Sequence, residues 1–225
     1  MSEAARYAAS HHSPTWILAR AQTAAHGRRG RAWSMPEGNF AATLTLFPED
    51  APATIALRSF VAALALFDAF VAVTGQATPF SLKWPNDVLL NGGKVAGILL
   101  ERGPRHLAIG FGVNLVAAPA AAEVEAGAVA PVSLASETGA LVTPEDFLDV
   151  LAPAYEAYEN QFATYGFAPI REAWLLRAAR LGQPIRARTM NAEYHGTFET
   201  VDEAGNLVLK TAQGRHAIPA AEVYF

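Results

Sequence analysis

Apolar and polar positions along this chain fall into blocks with two different periods. SEAARYAAS (2–10) has helical spacing and ends near SHHSP. PTWILARAQ (14–22) is apolar and β-branched, the character of a buried strand. NFAATLTLF (39–47) alternates with the period of two that a half-buried strand shows. Asp50 is placed to N-cap a helix with Pro52 in its first turn, and the Ala/Leu/Phe pattern carries that helix to about Val73. FSLKWP (80–85), DVLLNGGKVAGILLE (87–101) and HLAIGFGVNL (106–115) read as strands, with a hairpin turn at Asn91-Gly92-Gly93. The Ala- and Pro-rich stretch 117–132 reads as a loop. Thr143-Pro144-Glu145-Asp146 is close to a capping box and opens a helix to about Tyr165, and PIREAWLLRAARLG (169–182) is a second helix ended by Gly182. From Gln183 onward the pattern changes to short strands with a turn at DEAGN, which predicts a small β-barrel.

This order of elements predicts an α+β fold. One mixed or antiparallel sheet carries helices on one side across residues 1–180, and the barrel occupies 181–225. Composition changes this picture little. Apolar residues make up 52% and charged residues 17%, so a substantial core is expected. FVAALALFDAFVAV (60–73) is the longest apolar run, and Asp68 within it favours a buried helix over a membrane span. The N-terminus lacks the basic-then-apolar order of a signal peptide, and the absence of cysteine rules out disulfides and thiolate chemistry, which suits a cytoplasmic setting. Six scattered histidines form neither HxH nor HExxH and give no metal site. The net charge of −4 with one local cationic cluster fits a small anionic ligand better than nucleic acid.

Four stretches carry the candidate chemistry. HGRRGRAW (26–33) presents Arg28, Arg29 and Arg31, planar forks suited to phosphate or carboxylate, on a backbone loosened by Gly27 and Gly30. The same loop also reads as an exposed basic segment with the apolar part of Trp33 buried. In KWPND (83–87), Pro85 keeps Trp84 out of helical geometry and sets Asn86 and Asp87 at a bend. Asp87 there suits a metal-bound phosphate or a ribose hydroxyl, or simply a turn joining two strands. In GGKVAGILLE (92–101), strand alternation puts Lys94, Ala96, Ile98 and Leu100 on one face and Val95, Gly97, Leu99 and Glu101 on the other. A lysine beside a hairpin on an apolar strand, with Gly97 mid-strand, marks close approach of a ligand, or a lysine reaching solvent by its stem. In AIGFGVN (108–114), Gly110 and Gly112 fall on one face and leave it bare, a floor for a flat ring, and Asn114 ends the strand with an amide.

Taken together, GRRGRAW, KWPNDVLLNGGKVAGILLE, GFGVN and, more loosely, the terminal EVYF make the chain resemble the biotin protein ligases, of the biotin–[acetyl-CoA-carboxylase] ligase type. The resemblance implies a biotin/lipoate ligase-like catalytic domain followed by a small SH3-like barrel. It also implies ATP-dependent activation of biotin to biotinyl-5'-AMP and transfer to a lysine of a biotin carboxyl carrier protein, with magnesium accompanying ATP and pairing of two copies through the central sheet. By the same resemblance Gln22, His26, Gly27 and Arg28 lie about biotin, and Lys94 lies between its carboxylate and the α-phosphate. Gly97, Ile98, Gly110 and Gly112 line the biotin slot through backbone and small surface. Arg28, Arg29, Arg31, Trp33, Asn86, Asp87, Lys94 and Asn114 surround the nucleotide, with Asp87 near its magnesium. The arginine loop is then expected to order over the ligand.

The chain departs from the family pattern at Ala25-His26, usually Gly-Arg, and at Ala32, often lysine. The family's Ser-Thr-Asn turn before the loop would fall at about Met1, which leads to the expectation that the start is truncated or misassigned and the first strand missing. An N-terminal DNA-binding domain, and with it the repressor function of some relatives, is not expected. Lipoate ligases and octanoyl transferases share the fold, but GRRGRxW joined to KWPND is similar to the biotin branch. A nucleic-acid-binding reading is disfavoured by Glu193, Glu199, Asp202, Glu203 and Glu222 on the barrel.

Overall fold

The computed structural model describes residues 1–30, 33–120, 124 and 127–225. Its first sheet contains six strands: β1 (Thr15–Leu18), β2 (Phe40–Leu46), β3 (Phe80–Lys83), β4 (Asp87–Leu90), β5 (Gly93–Arg102) and β6 (Leu107–Val113). They lie in the order β1-β2-β6-β5-β4-β3, and every pairing is antiparallel. Alternation divides the sheet into two unlike faces. Phe40, Ala42 and Leu44 of β2, Ile98 of β5 and Ile109, Phe111 and Val113 of β6 are all buried. That face is covered by α3 (Arg58–Thr74) and α5 (Pro144–Tyr165), with α6 (Phe167–Leu175) packed on both helices; α1 (Ser2–Ala8) and α4 (Leu134–Thr138) are short. The partners of those residues on the opposite face are small: Ala41, Thr43, Gly97, Gly110 and Gly112.

The segment Pro52–Thr74 is apolar and long enough to cross a membrane, yet 72% of its most apolar window is buried, so it serves as the core helix. It is two pieces, α2 (Pro52–Ala56) and α3, broken at Leu57. Pro52 opens it as expected, but Asp50 does not cap it. The N-cap is Ala51, and Asp50 instead pairs with the buried Arg58 at 2.9 Å. Arg58 also meets Glu159 of α5 at 2.8 Å, and Tyr155 donates to that same carboxylate at 3.0 Å. An ion pair to a buried cation outweighs a cap to an exposed amide.

Three local expectations hold. Asn91 and Gly92 take positive φ (50° and 81°) in the hairpin turn, the Thr143 hydroxyl accepts from the Asp146 amide, and α5 ends at Tyr165. The helix expected over 169–182 stops at Leu175. Its continuation bonds to the sheet instead: the Leu82 amide donates to the Arg177 carbonyl and the Ala179 amide to the Leu82 carbonyl, both at 2.8 Å. Covering the open edge of β3 in this way satisfies backbone groups that a longer helix would leave unpaired.

The C-terminal strands β7 (Pro184–Arg188), β8 (Glu193–Val201), β9 (Leu207–Thr211), β10 (Gly214–Ile218) and β11 (Glu222–Tyr224) form one antiparallel sheet in the order β10-β9-β8-β7-β11. Among the described residues β10 and β11 do not pair, so this unit is a five-stranded sheet and not a closed barrel. Ile185, Ala187, Phe198, Leu207 and Leu209 join the same apolar cluster as the first sheet. The indole of Trp84 donates to the Gly205 carbonyl at 3.0 Å and ties the two units together.

Candidate active site

The site lies on the face of the six-stranded sheet opposite the core helices, beside the part that Met1 and the helix Ser2–Ala8 cover over Thr43 and Gly110. One row runs across four strands through Ala41, Gly112, Gly97 and Asp87, with Lys83 next on β3. Lys94 joins this row through an irregularity. Strict alternation puts it on the face opposite Gly97. The register slips between Val88 and Leu89, however, so that Val88 faces Ala96 while Leu89 faces Lys94 and Val95 is left as an extra residue. The bulge turns Lys94 onto the Gly97 side. A methyl group added at Gly97 would lie 3.4 Å from the lysine Nζ. The expectation that Lys94 and Gly97 occupy opposite faces is therefore corrected: a bulge, set by the partner strand, overrides the local period.

The Lys94 ammonium stands 2.6 Å from Asp87 Oδ1, and Lys83 Nζ stands 3.8 Å from Asp87 Oδ2. Burial alone pushes the Asp87 carboxyl up, but Lys94, Lys83 and Arg28 more than offset it, and its pKa is held below the ordinary range. Burial pulls the Lys83 ammonium below its ordinary value in spite of Asp87. Lys83 had been passed over in the sequence; its parity with Asp87 across the Trp84–Asn86 turn was the available signal.

Trp33 roofs the row. Methyl groups at Gly112 and Gly97 would lie 2.7 Å and 3.3 Å from its indole, and the ring centre is 5.5 Å from Lys94 Nζ. The Trp33 amide donates to the Ala25 carbonyl at 3.1 Å, which closes the loop between them. Within that loop Arg28 Nη1 donates to Asn86 Oδ1 at 3.2 Å, while Asn86 Nδ2 donates to the Ile98 carbonyl at 2.6 Å. The loop is also held by His26, whose Nε2 is 2.9 Å from Glu101 Oε1. This hydrogen bond, followed by one to the Ala24 carbonyl, raises the His26 pKa. Gly27 is half-buried in the loop. Arg29 contributes its backbone to the turn at 28–30, while its side chain, and Arg31 altogether, fall outside the described residues.

Not every expected residue joins this cluster. Gln22 is exposed after β1, and among the described residues no hydrogen bond ties it to the site. The Ile98 side chain is buried on the helix-covered face, leaving only its backbone near Asn86. Asn114 is 2% exposed and lies behind Lys94; its Nδ2 donates to the Val132 carbonyl at 3.0 Å and the Lys94 carbonyl at 3.5 Å. It thus anchors the lysine's backbone beside the bulge. Gly110 is bare as expected, and Met1 fills the space above it: a methyl there would lie 2.9 Å from the Met1 sulfur. Among the described residues no three His, Cys, Asp or Glu side chains converge, so the donor set does not suit a resident metal.

Residues 4–114 match the Biotin/lipoate A/B protein ligase family, and residues 181–225 match the Biotin protein ligase C terminal domain. The chain is 56% identical to a biotin–[acetyl-CoA-carboxylase] ligase of Paracoccus denitrificans, over 100% of this chain and 95% of that protein. It is 31% identical to a bifunctional ligase/repressor of Bacillus subtilis, covering 93% of this chain and 65% of that protein. Among solved structures, the biotin protein ligase from Aquifex aeolicus in complex with biotin and ATP is similar, with a TM-score of 0.85 and 25% identity over 97% of this chain and 92% of that one. The biotin acetyl coenzyme A carboxylase synthetase of Helicobacter pylori shares the fold, with a TM-score of 0.62 and 17% identity over 99% of this chain and 92% of that one.

Proposed function

Because this chain belongs to the Biotin/lipoate A/B protein ligase family, we propose that it activates biotin with ATP to biotinyl-5'-AMP, releasing diphosphate. It then transfers the biotinyl group to a lysine of a biotin carboxyl carrier protein. The observation that carries this reading is the placement of Lys94, 2.6 Å from Asp87, beside a floor stripped to Gly97 and Gly112 and under the Trp33 indole. Residues 1–180 are read as the catalytic unit and 181–225 as a second unit fixed to it through Trp84.

Activation brings a carboxylate against a polyphosphate, so fixed cations must offset repulsion and the charge that builds in the transition state. Lys94 and Arg28 supply them. The biotin carboxylate oxygen bonds to the α-phosphorus, the bond to the bridging oxygen breaks, and diphosphate leaves. No enzyme nucleophile takes part. Asp87 restrains the Lys94 ammonium, and Asn86 does the same for Arg28, so neither cation has to reorganise as the reaction proceeds. Asp87 also fits a magnesium ion carried on the nucleotide phosphates, since such an ion needs only one or two protein carboxylates and spreads the polyphosphate charge. The indole keeps water from the mixed anhydride until an acceptor amine attacks its carbonyl and AMP departs.

The reading places the enzyme in the cytoplasm, with no nucleic-acid or membrane partner, and as a homodimer paired through the central sheet. The deciding measurement is biotin-dependent exchange between ATP and pyrophosphate, with lipoate and octanoate as controls. Lys94→Ala is expected to lose about 100- to 1,000-fold in rate. Wild-type protein that shows no biotin-dependent exchange, or that prefers lipoate or octanoate, would refute the reading.

A further inference from the structure

The turn between α6 and β7 holds an arginine in the left-handed backbone region. Arg180 has φ 63°; among the described residues the only other non-glycine with positive φ is Asn91, at the hairpin turn. Asparagine tolerates this region, whereas the Cβ of an arginine crowds the following carbonyl. Glycine is what the local backbone favours, so an arginine kept there points to a use for its side chain.

That side chain borders the site just described. The guanidinium carbon of Arg180 lies 5.3 Å from the centre of the Phe225 ring, and Nη1 donates to Gln183 Oε1 at 2.9 Å. The Lys83 ammonium lies 5.7 Å from the centre of the same ring and 3.8 Å from Asp87, which it shares with Lys94. Around Arg180 runs an open groove of about 270 Å³ lined by Ser81, Leu89, Gly92, Gln183 and Phe225, among others, with no Asp or Glu side chain in its lining. It starts at the row that carries Lys94, since Leu89 pairs with Lys94 on one side and Ser81 on the other. Two acidic side chains on neighbouring segments are engaged: Glu222 accepts from the Tyr224 hydroxyl and meets Arg188, and Glu137 accepts from the Asn91 side-chain amide. Lys83, Lys94 and Arg180, set against Asp87 and a Glu222 that is already paired with Arg188, open onto this groove and make a receptor for a small polyanion.

We propose that Arg180, with Lys83 behind it, holds the diphosphate half of ATP and receives it as it leaves. This rests on the ligase reading. When the biotin oxygen bonds to the α-phosphorus, the departing diphosphate takes both electrons of the broken bond and no proton is required, so the added negative charge must be met at the groove. Arg180 supplies a bidentate donor for it.

The test uses the full chain with Arg180→Gly and Arg180→Asn, both of which suit the left-handed backbone and so preserve the fold. Each is expected to raise the KM for pyrophosphate in biotin-dependent exchange about tenfold, the loss of one charge-assisted contact. The KM for biotin stays unchanged and the thermal midpoint is not lowered. An unchanged pyrophosphate KM would overturn the proposal. So would a raised KM for the carrier protein alone, which would assign the groove to the acceptor. Calorimetric titration with inorganic pyrophosphate separates this from the ligase reading. If the wild type shows no exchange, weaker pyrophosphate binding by Arg180→Gly still supports the groove, and equal binding rejects it.

Discussion

Replacing Gly112 by alanine separates what the bare floor does for folding from what it does for the ligand. The new methyl would lie 2.7 Å, 2.8 Å and 2.9 Å from Cε2, Cζ2 and Nε1 of Trp33. Carbon atoms in contact sit at about 3.5–4.0 Å, so the indole must lift by roughly 1 Å. At Gly97 the nearest atoms are 3.3 Å and 3.4 Å away, and two of the three belong to the flexible end of Lys94, so that site yields more easily. Alanine within a strand is favoured over glycine by about 0.5–1 kcal/mol, which offsets the disturbance of a half-buried ring. The thermal midpoint of Gly112→Ala should therefore stay within about 3 °C of wild type. For a flat ligand seated on this floor the methyl is overpacking, which costs about 1–3 kcal/mol, or roughly 5- to 150-fold in affinity. Biotin-dependent ATP–pyrophosphate exchange run at varied biotin should show the KM for biotin raised by that factor in Gly112→Ala and by less in Gly97→Ala. A wild-type biotin KM in Gly112→Ala, coupled with a lowered midpoint, would show that the glycine serves only to seat Trp33.

Two further expectations concern the contacts around the site. Since the His26 pKa is raised by Glu101, that pairing stabilises the loop fully below the ordinary histidine pKa of about 6.5 and is lost as pH rises through the raised value. Glu101→Gln should lower the His26 titration midpoint measured by NMR and remove the pH dependence of amide protection in the loop; identical titrations would contradict this. Trp84→Phe leaves the Gly205 carbonyl without its buried donor, which costs about 1–2 kcal/mol and should lower the thermal midpoint by about 2–4 °C. An unaltered midpoint would mean that the two units do not depend on this bond.

Much of this architecture could be read from the chain because the signals were local. Asn91-Gly92 needs only its own backbone preferences to turn, and Thr143 caps residues three positions away. What escaped the sequence was set by distant partners. The bulge that turns Lys94 onto the Gly97 face is fixed by pairing with β4, so no count along β5 reveals it. Asp50 had a suitable helix start in front of it, but the buried Arg58 claims its carboxylate. The end of α6 answers to the open edge of β3, and the side chain of Asn114, which the resemblance sets near the nucleotide, bonds to the carbonyls of Lys94 and Val132. The C-terminal strands were legible one by one, whereas the pairing of their edges was not.

The five residues 83–87 show why a site can be recognised from a short motif yet resist dissection within it. Trp84 reaches the Gly205 carbonyl in the C-terminal unit, and the Pro85 carbonyl accepts from Ser59 of the core helix. Asn86 bridges Arg28 and β5, while Asp87 restrains Lys94 with Lys83 beside it. The motif thus mixes groups that hold other elements with the charged and amide groups of the candidate site. A carboxylate pressed between two ammonium groups keeps its charge only while those groups stay within a few ångströms, and that spacing is set by the anchors at 84–86. Substitutions inside the motif will therefore shift stability and activity together. At the floor glycines the nearest atoms belong to the Trp33 indole and, at Gly97, to the end of Lys94, so changes there are expected to fall on the roof of the site and on the ligand.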